Sequence, residues 1–404
     1  MVSAMLCIVV LPIWLLHFQD AKYLDLRAFW IGAQAAFNLG EIPYGEGFLA
    51  AQRQVFDGHS SLWVYPPEAL ALFWPLSFLT FEQAMPLSVA ASVAAAGLGG
   101  VVIGRVAPLR DDLAMPLATA LLLLSNSTRA TLALGQVSVL VVACCALFLL
   151  GLRDRRFALL SAAALIAAVM MKLYFVVLLA LPILALNVRW IAYFGLGALL
   201  SLGWALAVLP SGIHLSWLTE VLWTTVSSGD LAGQMEISRA DNHSVASHVV
   251  RAVGQDSALY DVVRFVIPLA LFGVTAAASL LAARARGWGA PTLADLGLWM
   301  VAVYIAVPNS WVYYAVFAGP GVVAWTAEAW RMRRRVELAL AALATLWLLQ
   351  SPVFLARPLL GWAPDVETQS LGATLVGVMI WLFLLLHLKA VPQGDGRRTA
   401  AARG

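Results

Sequence analysis

Charged side chains are scarce in this chain: they make up 12% of its 404 residues, about half of the quarter or so carried by soluble domains. That scarcity excludes an ordinary water-soluble globule. Cysteine is rarer still, with three residues, Cys7, Cys144 and Cys145, all inside apolar runs. Neighbours on a helix diverge by about 100°, so Cys144 and Cys145 face different ways, and neither a disulfide framework nor a metal cluster follows. Net charge is also small, +3, and the basic residues sit in short clusters rather than along a groove. Nucleic acid is therefore not an expected partner. The first eighteen residues have no basic n-region and no small-x-small site before Asp20, so they read as an uncleaved span rather than a signal peptide. No internal repeat is visible, which disfavours a transporter built from duplicated halves.

What the chain has in abundance is apolar sequence. Hydrophobic residues reach 62%, and mean hydropathy is +0.86. Apolar runs near the ~20 residues that cross a bilayer occur at about 1–18, 84–104, 113–128, 136–151, 157–171, 173–187, 191–209, 259–283, 291–307, 310–328, 336–350 and 371–389. Together they predict an all-α integral membrane protein of about 12 transmembrane helices. Basic clusters then set its orientation: Arg153, Arg155 and Arg156; Arg189; Arg284 and Arg286; Arg331, Arg333, Arg334 and Arg335; Lys389, Arg397 and Arg398. With twelve spans all five clusters fall on the cytoplasmic side. Residues 1–390 then form a single polytopic domain, and 391–404 a cytoplasmic tail. Segment 69–80, about twelve residues long and interrupted by Pro75, is too short to cross and reads as a partial or re-entrant helix.

The outer face then collects 19–68, 126–136, 210–258 and 351–370. The first of these carries the best clue to function. In DLRAFWIGAQAAFNLG, Leu26, Phe29, Trp30, Ala33 and Phe37 recur at helical spacing, with Arg27, Gln34 and Asn38 on the other face. This is an interfacial amphipathic helix, with Asp25 at its expected N-cap and Gly40 just past its end. An aspartate so placed either caps the helix or, partly buried beside a lipid-borne substrate, acts as a base. Asp20 competes for that role.

Other candidates lie on the same predicted face. Lys172 interrupts an apolar stretch and is either a ligand for a lipid phosphate or a lysine snorkelling at a helix end. Arg129 is a second cation, or a solvated loop arginine. SRADNHSVASHVVR places Asn242, His243, His248 and Arg251 at the start of a helix, where they suit a phosphate or a sugar. His243 and His248 stand five apart, not at the i, i+4 spacing of a helical zinc site, so neither metal nor cofactor is expected. Tyr65, Pro66 and Pro67 form a rigid corner. Asn309, Trp311, Tyr313 and Tyr314 stand at an outer helix start, placed either to stack on a sugar or to anchor at the interface.

DLRAFWIGAQAAFNLGEIPYGEGF followed by LWVYPPEALALFWPL resembles the opening of glycosyltransferase family 87, with its Asp-apolar-x-x-Phe-Trp/Tyr motif, Gly-x-x-x-Tyr turn and Tyr-Pro-Pro corner. LGQVSVL, MMKLYFVVLLALP, NVRW and DNHSVASHVVR are similar to later family segments in the same order. The resemblance implies a C-type glycosyltransferase fold and a polyprenyl-phosphate sugar donor, often carrying mannose. It also implies a glycolipid or glycan acceptor and a site on the outer face of a bacterial-type plasma membrane. It makes Asp25 the catalytic base. Lys172, with Arg129, His243 and Arg251, would bind the donor phosphate, and Tyr44, Tyr65, Gln136, Asn242, Asn309, Tyr313 and Tyr314 would bind substrate. Three departures bear on the sugar and acceptor: Leu173 where proline commonly follows the lysine, His243 for glutamine, and Tyr313 and Tyr314 where mannosyltransferase members carry two histidines. The expected activity is inverting hexosyl transfer, with a lipid-linked sugar flippase or transporter as the alternative.

Overall fold

A computed structural model of the chain describes residues 2–18, 21, 23–56, 61, 63–109, 111–225, 237–254, 259–349 and 365–388. Asp20 and the tail from residue 391 lie outside them. Among the described residues the structure is helical, with no strand. Each of the twelve apolar runs is helical in whole or in part. Among the described residues four helices are by themselves long and apolar enough to cross a bilayer: Phe81–Val106, Val188–Val208, Val262–Ala285 and Val366–His387. Leu113–Leu124 and Asn126–Leu134, bent by 49° at Ser125, make a fifth if they count as one span.

The remaining runs are shorter because polar or turn residues break them. Ser125 leaves the helical path and caps the next helix, its hydroxyl accepting from Thr128 N at 3.1 Å. Lys172 adopts an extended conformation between the helix Ala158–Met171 and a 3-10 turn, Leu173–Leu179. Residues 307–311 separate the helix Leu293–Ala306 from the 3-10 turn Val312–Ala318. These breaks lie where polar residues interrupt apolar sequence.

Helices α1 (Val2–His17) and α2 (Leu24–Ala33) open the chain, and α2 runs on through a π-helical turn, Gln34–Leu39, to Gly40 at φ 68°. The expected stop at Gly40 is therefore present, but the expected start is not. Tyr23, at φ 46°, is the N-cap, and α2 begins at Leu24, so Asp25 lies inside the first turn and does not cap. Capping is thus removed as the explanation for this carboxylate.

The buried face of α2 carries Leu26, Ala28, Phe29, Ile31 and Ala33. Phe29 stacks on Phe73 at 4.4 Å and meets Trp63 edge-on. Its polar side chains serve segment 69–80, which is indeed broken: two 3-10 turns, Pro67–Ala69 and Trp74–Phe78, flank the short helix Leu70–Phe73. Such a segment leaves carbonyls without helical partners, and in a low-dielectric setting each unmade bond costs about 1–3 kcal/mol. Gln34 donates to Ser77 O at 3.2 Å, Asn38 to the same oxygen at 2.9 Å, and the Trp30 indole to Leu79 O at 2.8 Å. The amphipathic face predicted to meet water thus partly satisfies a broken helix instead.

Candidate functional site

Breaks in helical structure at Gly135, at Lys172 and at residues 307–311 converge on the first turn of α2. Gly135, at φ 69°, ends the helix Asn126–Leu134 and lies so close to α2 that a Cβ there would stand 2.4 Å from Leu26 Cβ. Only glycine fits the conformation and the approach together. Tyr23 N donates to Ala133 O at 3.2 Å, which ties the two segments. The residue after Gly135 is Gln136, and its side chain reaches the Asp25 carboxylate. Ser61 adds a hydroxyl donor at 3.0 Å from Asp25 Oδ1.

Lys172 comes from the second break. It is buried, 7% exposed, and its ammonium donates to the Tyr314 hydroxyl at 3.0 Å. Three rings surround it, Tyr314 at 4.5 Å, Tyr313 at 5.5 Å and Tyr65 at 5.8 Å. Taking an ammonium out of water costs several kcal/mol, and ring faces at such distances return roughly 0.5–2 kcal/mol each. The cage therefore offsets much of the burial. Among the described residues no carboxylate lies within ion-pair distance of Lys172, although the Asp25 charge acts on the same space. The ammonium retains donors for a substrate anion.

Asp25, Ser61, Tyr65, Gln136, Lys172, Tyr313 and Tyr314 line one cavity of about 340 Å³. Burial raises the Asp25 carboxyl above its ordinary range, and the bonds from Gln136 and Ser61 and the charge of Lys172 pull it back only in part. A carboxylate with raised proton affinity beside an unpaired cation suits proton abstraction next to a departing anion.

The cavity also holds Trp311, a candidate for stacking on a sugar, and two residues that the sequence left unassigned, Arg239 and Asp241. Arg239 and Asp241 pair through two bonds of 3.1 Å, and the guanidinium lies 4.9 Å from the Trp311 ring centroid. The signal for Arg239 and Asp241 was present, since both charges stand within three residues before Asn242 in SRADN.

The neighbouring candidates occupy other places. Asn242 is fully buried, donates to Ile237 O and Pro308 O, and accepts from Ser244 N and Ser310 N. These four bonds join two loops and leave the side chain outside the cavity lining. His243 bonds the Tyr304 hydroxyl at 3.2 Å and lines a separate void of about 60 Å³ with Asn126 and Ser127. Burial, then His248, lowers its pKa to about 4, with Arg251 a smaller contributor in the same direction, so the imidazole is neutral at pH 7. Arg251 pairs with Glu367 at 3.3 Å and donates to Arg239 O at 2.6 Å, which supports the loop that carries Arg239. Arg129 bonds Asn126 at 3.1 Å, and Tyr44 donates to Tyr65 O at 2.8 Å and lines a different groove. Asn309 is buried beside the Ser310 turn, with no partner for its Oδ1. None of His243, Arg251, Arg129, Tyr44 and Asn309 lines the Asp25 cavity.

Among the described residues no three of His, Cys, Asp and Glu stand together as metal ligands. The model of glycosyltransferase family 87 matches residues 63–308, more than half of the chain. Tyr65, Gln136, Lys172, Arg239, Asp241 and His243 fall within the match; Asp25 precedes it. No curated protein matches the chain.

Proposed function

Because the chain belongs to glycosyltransferase family 87, we propose that this membrane glycosyltransferase moves a hexose, mannose first among the candidates, from a polyprenyl-phosphate carrier to a hydroxyl of a glycolipid or glycan. The fold would be of the C type and the cavity would open on the extracytoplasmic side. One observation carries the reading: Asp25 and the ion-pair-free Lys172 line the same cavity.

The Asp25 carboxylate takes the proton of the acceptor hydroxyl as its oxygen attacks the anomeric carbon. The bond from that carbon to the phosphate oxygen breaks on the opposite face, so configuration inverts. The bonding pair leaves with the lipid phosphate, which gains negative charge in the transition state. Lys172 stands where that charge develops, and the tyrosine cage holds it in place before the substrate arrives. Electrostatic stabilisation of this kind replaces a general acid. Arg239 and Trp311, on the cavity wall, suit the sugar and the second phosphate oxygen.

The test is transfer of radiolabelled mannose from synthetic polyprenyl-phosphate mannose to native membrane lipids by wild type and Asp25→Ala. Label moved by the wild type alone supports the reaction and its base. Equal transfer by both removes Asp25 from the base role. Movement of the labelled lipid across vesicles without transfer supports the flippase reading.

A further inference from the structure

A second polar cavity, of about 480 Å³, lies away from Asp25. Arg153 at the end of the helix Ser138–Arg153, Arg155 in the next turn and Arg189 at the start of the helix Val188–Val208 line it, and its lining includes no carboxylate. Arginine on the side expected to be cytoplasmic follows from orientation alone. What needs a cause is the missing counter-charge.

Several other arginines have a carboxylate partner within the chain. Arg331 pairs with Glu328 at 2.6 Å, Arg334 with Glu337 at 3.0 Å, Arg286 with Asp295 at 3.0 Å, and Arg156 takes Asp154 at 2.7 Å. Among the described residues Arg153, Arg155 and Arg189 have no such partner. Arg153 donates to Val106 O at 2.9 Å and Arg189 to the Tyr193 hydroxyl at 2.7 Å. A guanidinium has five N–H donors, so most remain free for an anion.

The floor and rim are equally specific. Trp190 is fully buried, donates to Ser161 at 2.8 Å and stacks on Phe194, which gives a rigid base. At the rim Leu186 is 67% exposed and Val188 75%. They lead onto the helix Val188–Val208, of which only 6% of the apolar window is buried. A cationic cavity therefore adjoins a helix whose leucines face lipid.

We propose that this cavity binds the headgroup of an anionic phospholipid, best one with two phosphates, whose acyl chains lie along the exposed face of Val188–Val208. Basic pockets between helices are suited to such headgroups. Three arginines around one cavity repel one another, and a dianion removes that repulsion. The site is independent of sugar transfer and is tested without it.

The experiment measures lipid retention by native mass spectrometry on delipidated protein in detergent, with cardiolipin, phosphatidylglycerol and phosphatidylcholine as probes and inorganic pyrophosphate as the free anion. Cardiolipin should bind most tightly and phosphatidylcholine least. Arg153→Gln, Arg155→Gln and Arg189→Gln should each weaken cardiolipin about five-fold, the equivalent of ~1 kcal/mol per arginine at a membrane surface. Arg335→Gln, at an exposed arginine outside the cavity, should change nothing. Equal loss in Arg335→Gln would reduce the effect to bulk charge and overturn the site. Pyrophosphate binding as tight as cardiolipin would overturn the lipid assignment in favour of a soluble anion. A thermal midpoint matching wild type shows that each single variant is folded.

Discussion

Two polar regions pack against residues 308–314 and use their side chains in opposite ways. Around Asp25 the polar groups converge on open space, and Lys172 has a hydroxyl and three rings for company but, among the described residues, no carboxylate at ion-pair distance. Around Asn242 the groups are bonded to the chain itself: four backbone partners for Asn242, Tyr304 for His243 and Glu367 for Arg251. Both regions contain residue types found at phosphate or sugar sites. Unmet hydrogen-bonding capacity, not residue type, separates the open cavity from the structural joint.

The largest expected effect tests the first region. Asp25→Asn keeps the shape and removes the base, and sugar transfer should fall by about 10²–10⁴-fold, the usual worth of a positioned base. The wild-type rate should also show an acid limb. Because burial raises the carboxyl, transfer should decline ten-fold per pH unit below a midpoint above the ordinary carboxylate range. A rate independent of pH there would remove Asp25 from the chemistry.

Lys172→Gln comes next. It keeps a donor but not the charge, and should reduce kcat by about 10²–10³-fold, as loss of one transition-state donor does elsewhere. A change in KM with kcat intact would mean that the ammonium only holds the ground state.

The second region should answer in stability rather than rate. Asn242→Ala leaves buried donors and acceptors on two loops without partners, at about 1–3 kcal/mol for each group stranded. Its thermal midpoint should fall by several degrees while the turnover of the folded fraction stays near wild type. Loss of turnover without loss of stability would place Asn242 in the site.

His243→Gln should have the smallest effect, with transfer near wild type. Its signature is in pH. The folded imidazole titrates at about 4, against an ordinary value of about 6.5, so the unfolded chain takes up the proton first. His243 then supports the fold fully above pH 6.5, and that contribution is lost as pH falls toward 4. The fall in thermal midpoint from pH 7.5 to 5 should be smaller in His243→Gln than in wild type.

Much of this was legible in the residues, and unevenly so. Helical character, the interruption at Lys172, the broken segment around Pro75 and the stop at Gly40 are local properties of hydrophobic pattern and turn chemistry, and each is present. The start of α2 was misplaced because the left-handed Tyr23 carries no sequence signal, whereas an aspartate before an apolar run carries a strong one. Arg239 and Asp241 were passed over for Asn242 and His243, one to four residues further on, because spacing does not tell which side of a loop faces a cavity. Lys172 was legible as an anomaly, but not its cage, since Tyr314 lies 142 positions away in sequence.

The sequence by itself determined a helical membrane protein, its family and where its helices break, because apolar runs and breakers act over a few residues. Only the tertiary structure decided which polar residues share open space. That outcome rests on approaches such as Gly135 against Leu26, where the absence of one Cβ lets distant segments meet and brings Gln136 to Asp25.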